Sequence, residues 1–177
     1  IGMTEFTMMG ILPDIAKDVN IDIPTASNLI GLYALGVVVG APTLVAATSK
    51  YPAKKVLLFL MLLFFIFNAI FTFAPNQWSL FVSRFVSGLP HGAFFGIGSV
   101  VAAKLAKPGK EAQAISIMFT GMTLANLAGV PLGTYIGHYY DWRITYGVIS
   151  LLGLLTFLTI YLWMPNFPAD KSSNIKK

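Results

Sequence analysis

Long apolar runs, each close to the length needed to cross a lipid bilayer, constrain the fold of this chain more than any other feature. A hydrocarbon core about 30 Å thick is crossed by about 20 apolar residues in a helix. Six runs bounded by charged residues, prolines or tryptophans are predicted to span the membrane: 1–15, 26–49, 56–74, 78–105, 112–136 and 142–164. Backbone groups in hydrocarbon must bond within their own segment, so we expect helices. The predicted fold class is an all-α membrane protein with six transmembrane helices.

Composition supports this class and argues against several others. Only 11% of the residues are charged, whereas soluble domains average about 25%. There is no cysteine, which removes thiolate metal sites and cysteine nucleophiles. No phosphate-binding loop, nucleophile elbow or metal-ligand spacing is present, so we expect neither an enzyme nor a metal or other cofactor. The net charge of +5 is spread over short loops, which favours the lipid bilayer over nucleic acid as a partner.

The distribution of lysines predicts the orientation of the helices. Lys17 and Arg143 lie in loops on one side of the membrane. The loops on the other side and the tail contain nine basic residues: Lys50, Lys54, Lys55, Lys104, Lys107, Lys110, Lys171, Lys176 and Lys177. Because cytoplasmic loops carry the excess of Lys and Arg, both ends of the chain are expected in the cytoplasm.

The predicted domain organisation is a six-helix bundle over 1–165 followed by a polar cytoplasmic linker over 166–177. The first run is several residues shorter than a full span. We therefore expect the chain to begin inside its first helix, with a second half missing after the linker.

Small residues recur at every fourth position in three of the runs. Such spacing places them on one face of a helix, where a neighbouring backbone can approach closely. The fifth run has Gly121, Ala125, Gly129, Gly133 and Gly137, the fourth has Gly88, Gly92 and Gly96, and the second has Gly36 and Gly40. Pro131 interrupts the first of these ladders and is expected to kink the helix.

Three ionisable residues lie inside the predicted spans, namely Glu5, Arg84 and His91. Charge in hydrocarbon is costly, so residues of this kind commonly mark substrate or proton pathways. Each also has a plainer interpretation. Glu5 could be solvated near the chain start, Arg84 could form a structural ion pair or clamp a backbone, and His91 could make an interhelical hydrogen bond.

The depths of these residues predict which of them are neighbours. Glu5 and His91 each lie 13 residues from the outer end of their helix, about 20 Å deep. We therefore expect a proton-coupling pair near the midplane. Asp14 and Arg84 are expected at about 6 and 9 Å, where they could form an ion pair or gate. Asn126 is predicted near the midplane, either in a substrate cavity or in an interhelical hydrogen bond.

Three motifs resemble those of a known transporter family. The run 84–98, RFVSGLPHGAFFGIG, resembles the fourth-helix arginine motif of the major facilitator superfamily. The run 129–137, GVPLGTYIG, resembles its fifth-helix antiporter motif. The segments 4–6 and 13–16, TEF and PDIA, are similar to the first helix of the drug:proton antiporter group. The whole chain is most similar to the amino-terminal half of the arabinose efflux permeases.

The resemblance implies a proton-coupled exporter of sugars or small amphipathic compounds in the bacterial inner membrane. Transport would proceed by rocking of two six-helix bundles, so the carboxyl-terminal half is an implied partner. A first-helix acid recurs in similar antiporters, which implies a coupling role for Glu5. The loop 48–55 keeps Lys54 and Lys55 but lacks the family's usual Asp. An inward proton symporter, a non-transporting membrane scaffold and a self-associating channel remain alternatives.

Overall fold

The computed structural model describes residues 1–166, which form helices joined by short turns, with no strand among them. The α-helices are α1 (Met3–Asp18), α2 (Ile23–Thr48), α3 (Ala53–Thr72), α4 (Gln77–Leu105), α5 (Glu111–Leu124), α6 (Val130–Ile136) and α7 (Trp142–Trp163). Two π-helical segments, Ala125–Gly129 and Gly137–Asp141, join α5 to α6 and α6 to α7. Four helical stretches are long and apolar enough to cross a membrane: Ile23–Thr48, Ala53–Thr72, Gln77–Leu105 and Glu111–Trp163. The all-α membrane class is therefore confirmed.

Local capping chemistry determines where several helices begin. The Asp22 side chain accepts a hydrogen bond from the Thr25 amide at the start of α2. At the start of α4, Asn76 and Ser79 form a reciprocal capping box. Each cap satisfies an amide that has no partner within its helix. These polar caps end the apolar runs, so the turns emerge at a membrane surface.

The chain reverses direction at Asp141, although helical structure is assigned without a gap from Glu111 to Trp163. The backbone of Asp141 is extended, with φ −161° and ψ 132°. Across this corner, the Thr145 hydroxyl donates to the Gly133 carbonyl at 2.8 Å, although the two residues are 12 apart. Residues 12 apart in one straight helix would be separated by about 18 Å. The segment therefore folds back on itself as two packed arms.

The main core is formed by buried residues of α1, α2, α3, α4 and α7. Ile11 and Phe64 are buried there, and the Phe71 ring lies 4.4 Å from the Tyr146 ring and 5.5 Å from the Trp142 ring, centroid to centroid. Large apolar side chains also cover the outward faces of α3 and α7, which is the distribution expected where lipid is the solvent.

Backbone contact between α2 and α4 is the closest helix packing in the bundle. A Cβ atom added at Gly36 would overlap the Phe85 carbonyl oxygen, and one added at Gly88 would overlap the Tyr33 carbonyl oxygen. Gly40 likewise lies against Leu89. Only residues without a side chain allow this approach.

The glycine ladders are shorter than predicted. In α4, Gly92 lies against Ala41 of α2, but a Cβ added at Gly96 would meet no atom within 4 Å. The same is true of Gly121 in α5. The packed faces therefore do not include Gly96 or Gly121, since regular spacing along one helix does not determine how far its neighbour extends.

Candidate functional site

Arg84 of α4 is completely buried, and neutral groups hold its guanidinium. Nε donates to the Leu29 carbonyl, while Nη1 and Nη2 donate to the Thr4 hydroxyl and carbonyl oxygens, each at 3.4 Å. The guanidinium carbon lies 4.2 Å from the centroid of the Tyr33 ring and 5.6 Å from those of Phe71 and Tyr146. Carbonyl dipoles and ring faces both stabilise a cation that has left water. Arg84 therefore joins α1 and α2 to α4 inside the bundle.

The predicted ion pair between Asp14 and Arg84 is not formed. The Asp14 carboxylate lies 3.2 Å from Nδ1 of His138, in the second π-helical segment. The position of a residue along its helix does not determine how far, or in which direction, its side chain extends. Arg84 extends to Thr4, which lies almost three turns away from Asp14 along α1. Asp14 thus contacts the second π-helical segment and does not belong to the Arg84 site.

Thr4 is the point at which four helices meet. Its carbonyl oxygen also accepts a hydrogen bond from the Tyr146 hydroxyl of α7 at 3.3 Å. Its own hydroxyl lies 3.4 Å from Oδ1 of Asn68 in α3. With Arg84, these contacts attach Thr4 to α3, α4 and α7, and they fix the backbone immediately before Glu5.

His91 of α4 is paired with Tyr33 of α2. The Tyr33 hydroxyl lies 3.0 Å from Nδ1 of His91, and the proton between them can belong to either group. Tyr33 is fully buried, and its ring also lies against the Arg84 guanidinium. Glu5 is partly exposed. Tyr33 therefore connects His91 to the Arg84 site, and it was not identified from the sequence.

A sequence signal for Tyr33 was available. It lies 10 residues into α2, about 15 Å from the start of that helix, where a phenol hydroxyl needs a polar partner. A tyrosine in the middle of an apolar run therefore indicates a polar contact inside the bundle.

Asn126 lies in the first π-helical segment, and its side-chain oxygen is buried without a hydrogen-bond partner in the structure. The Thr7 hydroxyl oxygen of α1 is also buried and unpartnered. Pro131, near the start of α6, lies just after this segment and supplies no amide to the helical ladder. The expected kink at Pro131 therefore takes the form of a π-helical segment, a feature frequent at functional sites.

The ladder of the fifth predicted span packs on α1 over part of its length. A Cβ added at these glycines would come within 3 Å of an α1 side chain: Met3 for Gly129, Thr7 for Gly133 and Ile11 for Gly137. Ala125 instead lines a cavity of about 360 Å³ between the starts of α1 and the midsections of α3, α4, α5 and α7. The glycines of the antiporter-like motif thus form the surface that packs against α1, the helix that contains Glu5.

The lysines of the α2–α3 connection have different environments. Lys54 donates a hydrogen bond to the Met164 carbonyl at 2.6 Å, with Nζ 6.0 Å from the centroid of the Tyr161 ring. Lys55 is exposed and lines a separate groove with Tyr51 and Phe59. Lys54 thus fastens the end of α7 to the start of α3, whereas Lys55 remains available at the surface.

At the other end of the bundle, Asp18 forms an ion pair with Arg143 and accepts a hydrogen bond from the Trp142 indole at 3.2 Å. Arg143 also donates to the Ala74 carbonyl at 3.3 Å. The hydrogen bond from Arg143 is the main cause that lowers the pKa of Asp18, opposed by partial burial of the carboxyl group. The end of α1, the turn after α3 and the start of α7 are thereby connected.

No group of three or more His, Asp or Glu side chains suited to a metal ion occurs within residues 1–166. The Arg84 site instead combines a fixed cation, a phenol, an imidazole and a nearby carboxylate. These groups can hold or pass a proton or bind a polar solute.

Comparison with known proteins identifies the relatives of the chain. The family model described as Major Facilitator Superfamily matches residues 1–177. AraJ of Escherichia coli K12, which is named as a transporter, is 44% identical over 177 residues, covering 100% of this chain and 45% of AraJ. The inner membrane transport protein YdhP of the same strain is 41% identical, covering 100% of this chain and 46% of YdhP.

A protein of Helicobacter acinonychis named as a sugar efflux transporter is 33% identical over 172 residues, covering 97% of this chain and 44% of that protein. The chain therefore spans about half the length of the curated relatives that it matches.

Proposed function

The chain belongs to the Major Facilitator Superfamily, and we propose on this premise that residues 1–165 are the amino-terminal six-helix half of a proton-coupled exporter. Its substrates would be sugars or small amphipathic compounds, moved across the bacterial inner membrane by alternating access. The names of YdhP and of the Helicobacter relative support the membrane and the substrate class. The partner of this half would be a carboxyl-terminal bundle of similar size.

Six spans are part of this proposal. The reversal at Asp141 supports counting the stretch Glu111–Trp163 as two spans, and α1 supplies the first with its 16 residues. Lysines in alternate loops support cytoplasmic locations for both ends. The proposed linker, 166–177, lies outside the described residues except for its first position.

The observation that carries the proposal is the buried group formed by Arg84, Tyr33 and His91 beside Glu5. Buried ionisable groups in membrane spans are rarely kept for packing alone. Here the cation is held by carbonyl oxygens and ring faces, so its charge is not cancelled by a paired acid. A carboxylate nearby can therefore gain and lose a proton while the cation stays fixed.

In this mechanism Glu5 carries the coupled proton, and His91 adjusts it through Tyr33. Thr4, held by three other helices, positions the Glu5 backbone. Rocking of the two bundles would open the Glu5 region to each side in turn, and proton entry would then drive solute export. Asn126, whose oxygen lacks a partner, is proposed as a substrate contact.

The test is Glu5→Gln in the full-length transporter, reconstituted in vesicles with an imposed proton gradient. We expect solute binding and folding to persist and uphill transport to be lost, because an amide cannot exchange a proton. Glu111→Gln removes an exposed acid at the start of α5 and serves as the matched control.

Uphill transport by Glu5→Gln with unchanged pH dependence would reject the coupling role. Accumulation of solute in the direction of proton entry would identify a symporter instead. Absence of gradient-dependent transport in the unsubstituted protein, across a sugar panel, would favour a scaffold or a self-associating channel.

A further inference from the structure

A groove with one polar end opens where α2 and α3 meet at the membrane surface. Its volume is about 280 Å³, and it is lined by Thr48, Tyr51, Lys55, Val56 and Phe59. The turn between α2 and α3 carries Tyr51, while Phe59 lies one turn of α3 beyond Lys55. Polar groups at the turn and apolar groups further along the helix follow the polarity of a lipid leaflet.

The polar end of the groove is positively charged and has no acidic counterpart nearby in the sequence. No Asp or Glu occurs between Asp22 and Glu111. The neighbouring Lys54 is engaged with the Met164 carbonyl and the Tyr161 ring. Lys55 is exposed, and the Tyr51 side chain is 63% exposed. An ammonium and a phenol hydroxyl are thus available side by side for an anion.

An apolar track leads away from this polar end along α3. It consists of exposed side chains spaced three or four residues apart on one helix face: Phe59, Leu62, Ile66, Ile70 and Phe73. The track runs nearly the full length of α3. A free inorganic anion would have no use for such a surface, whereas an acyl chain, which covers about half of a hydrocarbon core about 30 Å thick, matches the first part of the track in length and chemistry.

We propose that this groove binds one anionic phospholipid, with its phosphate at Lys55 and Tyr51 and an acyl chain along the track. Basic pockets between spans are suited to anionic headgroups, since each lysine near the surface contributes attraction for negative lipid. The proposal depends on insertion in a membrane and is independent of proton coupling.

The test measures individual lipid binding to the full-length transporter in detergent by native mass spectrometry. Dioleoyl phosphatidylglycerol is titrated against unsubstituted protein, Lys55→Gln and the control Lys110→Gln, which removes an exposed lysine outside the groove. We expect Lys55→Gln to weaken the tightest binding about fivefold, the effect of one lysine, and Lys110→Gln to leave it unchanged. Equal losses in both variants would overturn the proposal.

Two further comparisons separate lipid from other occupants. Dioleoyl phosphatidylcholine, with a neutral headgroup, should bind more weakly than dioleoyl phosphatidylglycerol. Phe59→Ala should weaken phosphatidylglycerol binding more than Phe73→Ala, which lies at the far end of the track. Equal binding of the two lipids would refute the headgroup assignment. Displacement of phosphatidylglycerol by equimolar inorganic phosphate would also refute the lipid proposal. So would an unchanged affinity in Lys55→Gln, which would result if the other half of the transporter covered the groove.

Discussion

The Tyr33 hydroxyl and Nδ1 of His91 lie 3.0 Å apart and join α2 to α4 in the interior of the bundle. The same two helices approach through Gly36 and Gly88, so the polar contact lies beside the closest backbone packing. Side chains held on tightly packed helices keep their relative positions, and the contact is therefore pre-organised.

Tyr33→Phe removes this hydrogen bond and keeps the ring that lies against Arg84. We expect a loss of about 0.6 kcal/mol in stability, typical of interhelical hydrogen bonds in membranes, and an altered pH profile of transport. Thermal unfolding and pH-dependent transport would be measured for Tyr33→Phe, His91→Gln and the double variant. The control is Tyr161→Phe at an exposed tyrosine. Additive effects of Tyr33→Phe and His91→Gln would show that the contact between the two side chains contributes nothing to stability or to the pH profile.

Gly36→Ala should destabilise the bundle, because the new Cβ would overlap the Phe85 carbonyl oxygen and push α4 away. Overpacking of this kind costs about 1–3 kcal/mol. Gly31→Ala, on the same helix with no atom within 4 Å of its added Cβ, should be neutral or stabilise by up to about 1 kcal/mol through helix propensity. Detergent thermostability would compare the two, and equal effects would argue against the α2–α4 contact.

Asp14 and Arg84 should behave independently. Asp14→Ala and Arg84→Ala share no partner, so their effects on unfolding should add within about 0.3–0.5 kcal/mol. Asp14→Ala and His138→Gln should instead show a coupling below about 1 kcal/mol, since the pair is solvent-accessible. A large coupling between Asp14 and Arg84 would restore the predicted gate.

The contact between Asp18 and Arg143 should make stability depend on acid pH. A hydrogen bond to the ionised carboxyl lowers the folded-state pKa of Asp18 below its ordinary value of about 3.9. Its contribution is therefore fully present above about pH 4 and is lost as pH falls through the lowered pKa. The difference in unfolding temperature between the unsubstituted protein and Asp18→Asn should shrink as pH falls below 4, and a difference that grows there would contradict this origin.

The lysine distribution predicts that Lys107 faces the cytoplasm and that Asn76 faces outwards. Cysteines placed at these positions in turn are tested with a membrane-impermeant maleimide applied to intact cells. Only the cysteine at position 76 should react, and no native cysteine of the chain interferes. Labelling at position 107 would reverse the orientation.

Helix boundaries were predictable because bilayer thickness and polar caps act locally. The expected spans 56–74 and 78–105 compare with Ala53–Thr72 and Gln77–Leu105 in the structure. The fifth and sixth spans were also placed on either side of Asp141, but their π-helical segments were not foreseen. A proline predicts a disturbance of the helix and does not specify its form.

Partners of individual side chains were harder to predict. Depth along a helix describes one coordinate, whereas contact also depends on which face a residue occupies and how far its side chain reaches. Arg84 reached Thr4 and not Asp14, and Tyr33 was overlooked because it carries no charge. The sequence therefore indicated Arg84 and His91 but left Tyr33 and Thr4 out of the set of contacting residues.

The corner at Asp141 joins α6 and α7 through a very short connection. A flexible connection would absorb motion, but here one extended residue passes directly into α7, and Thr145 is already bonded to Gly133. A tilt of α6, which packs against α1, should therefore also move α7. Inserting a few residues at this corner should uncouple the motions of α6 and α7.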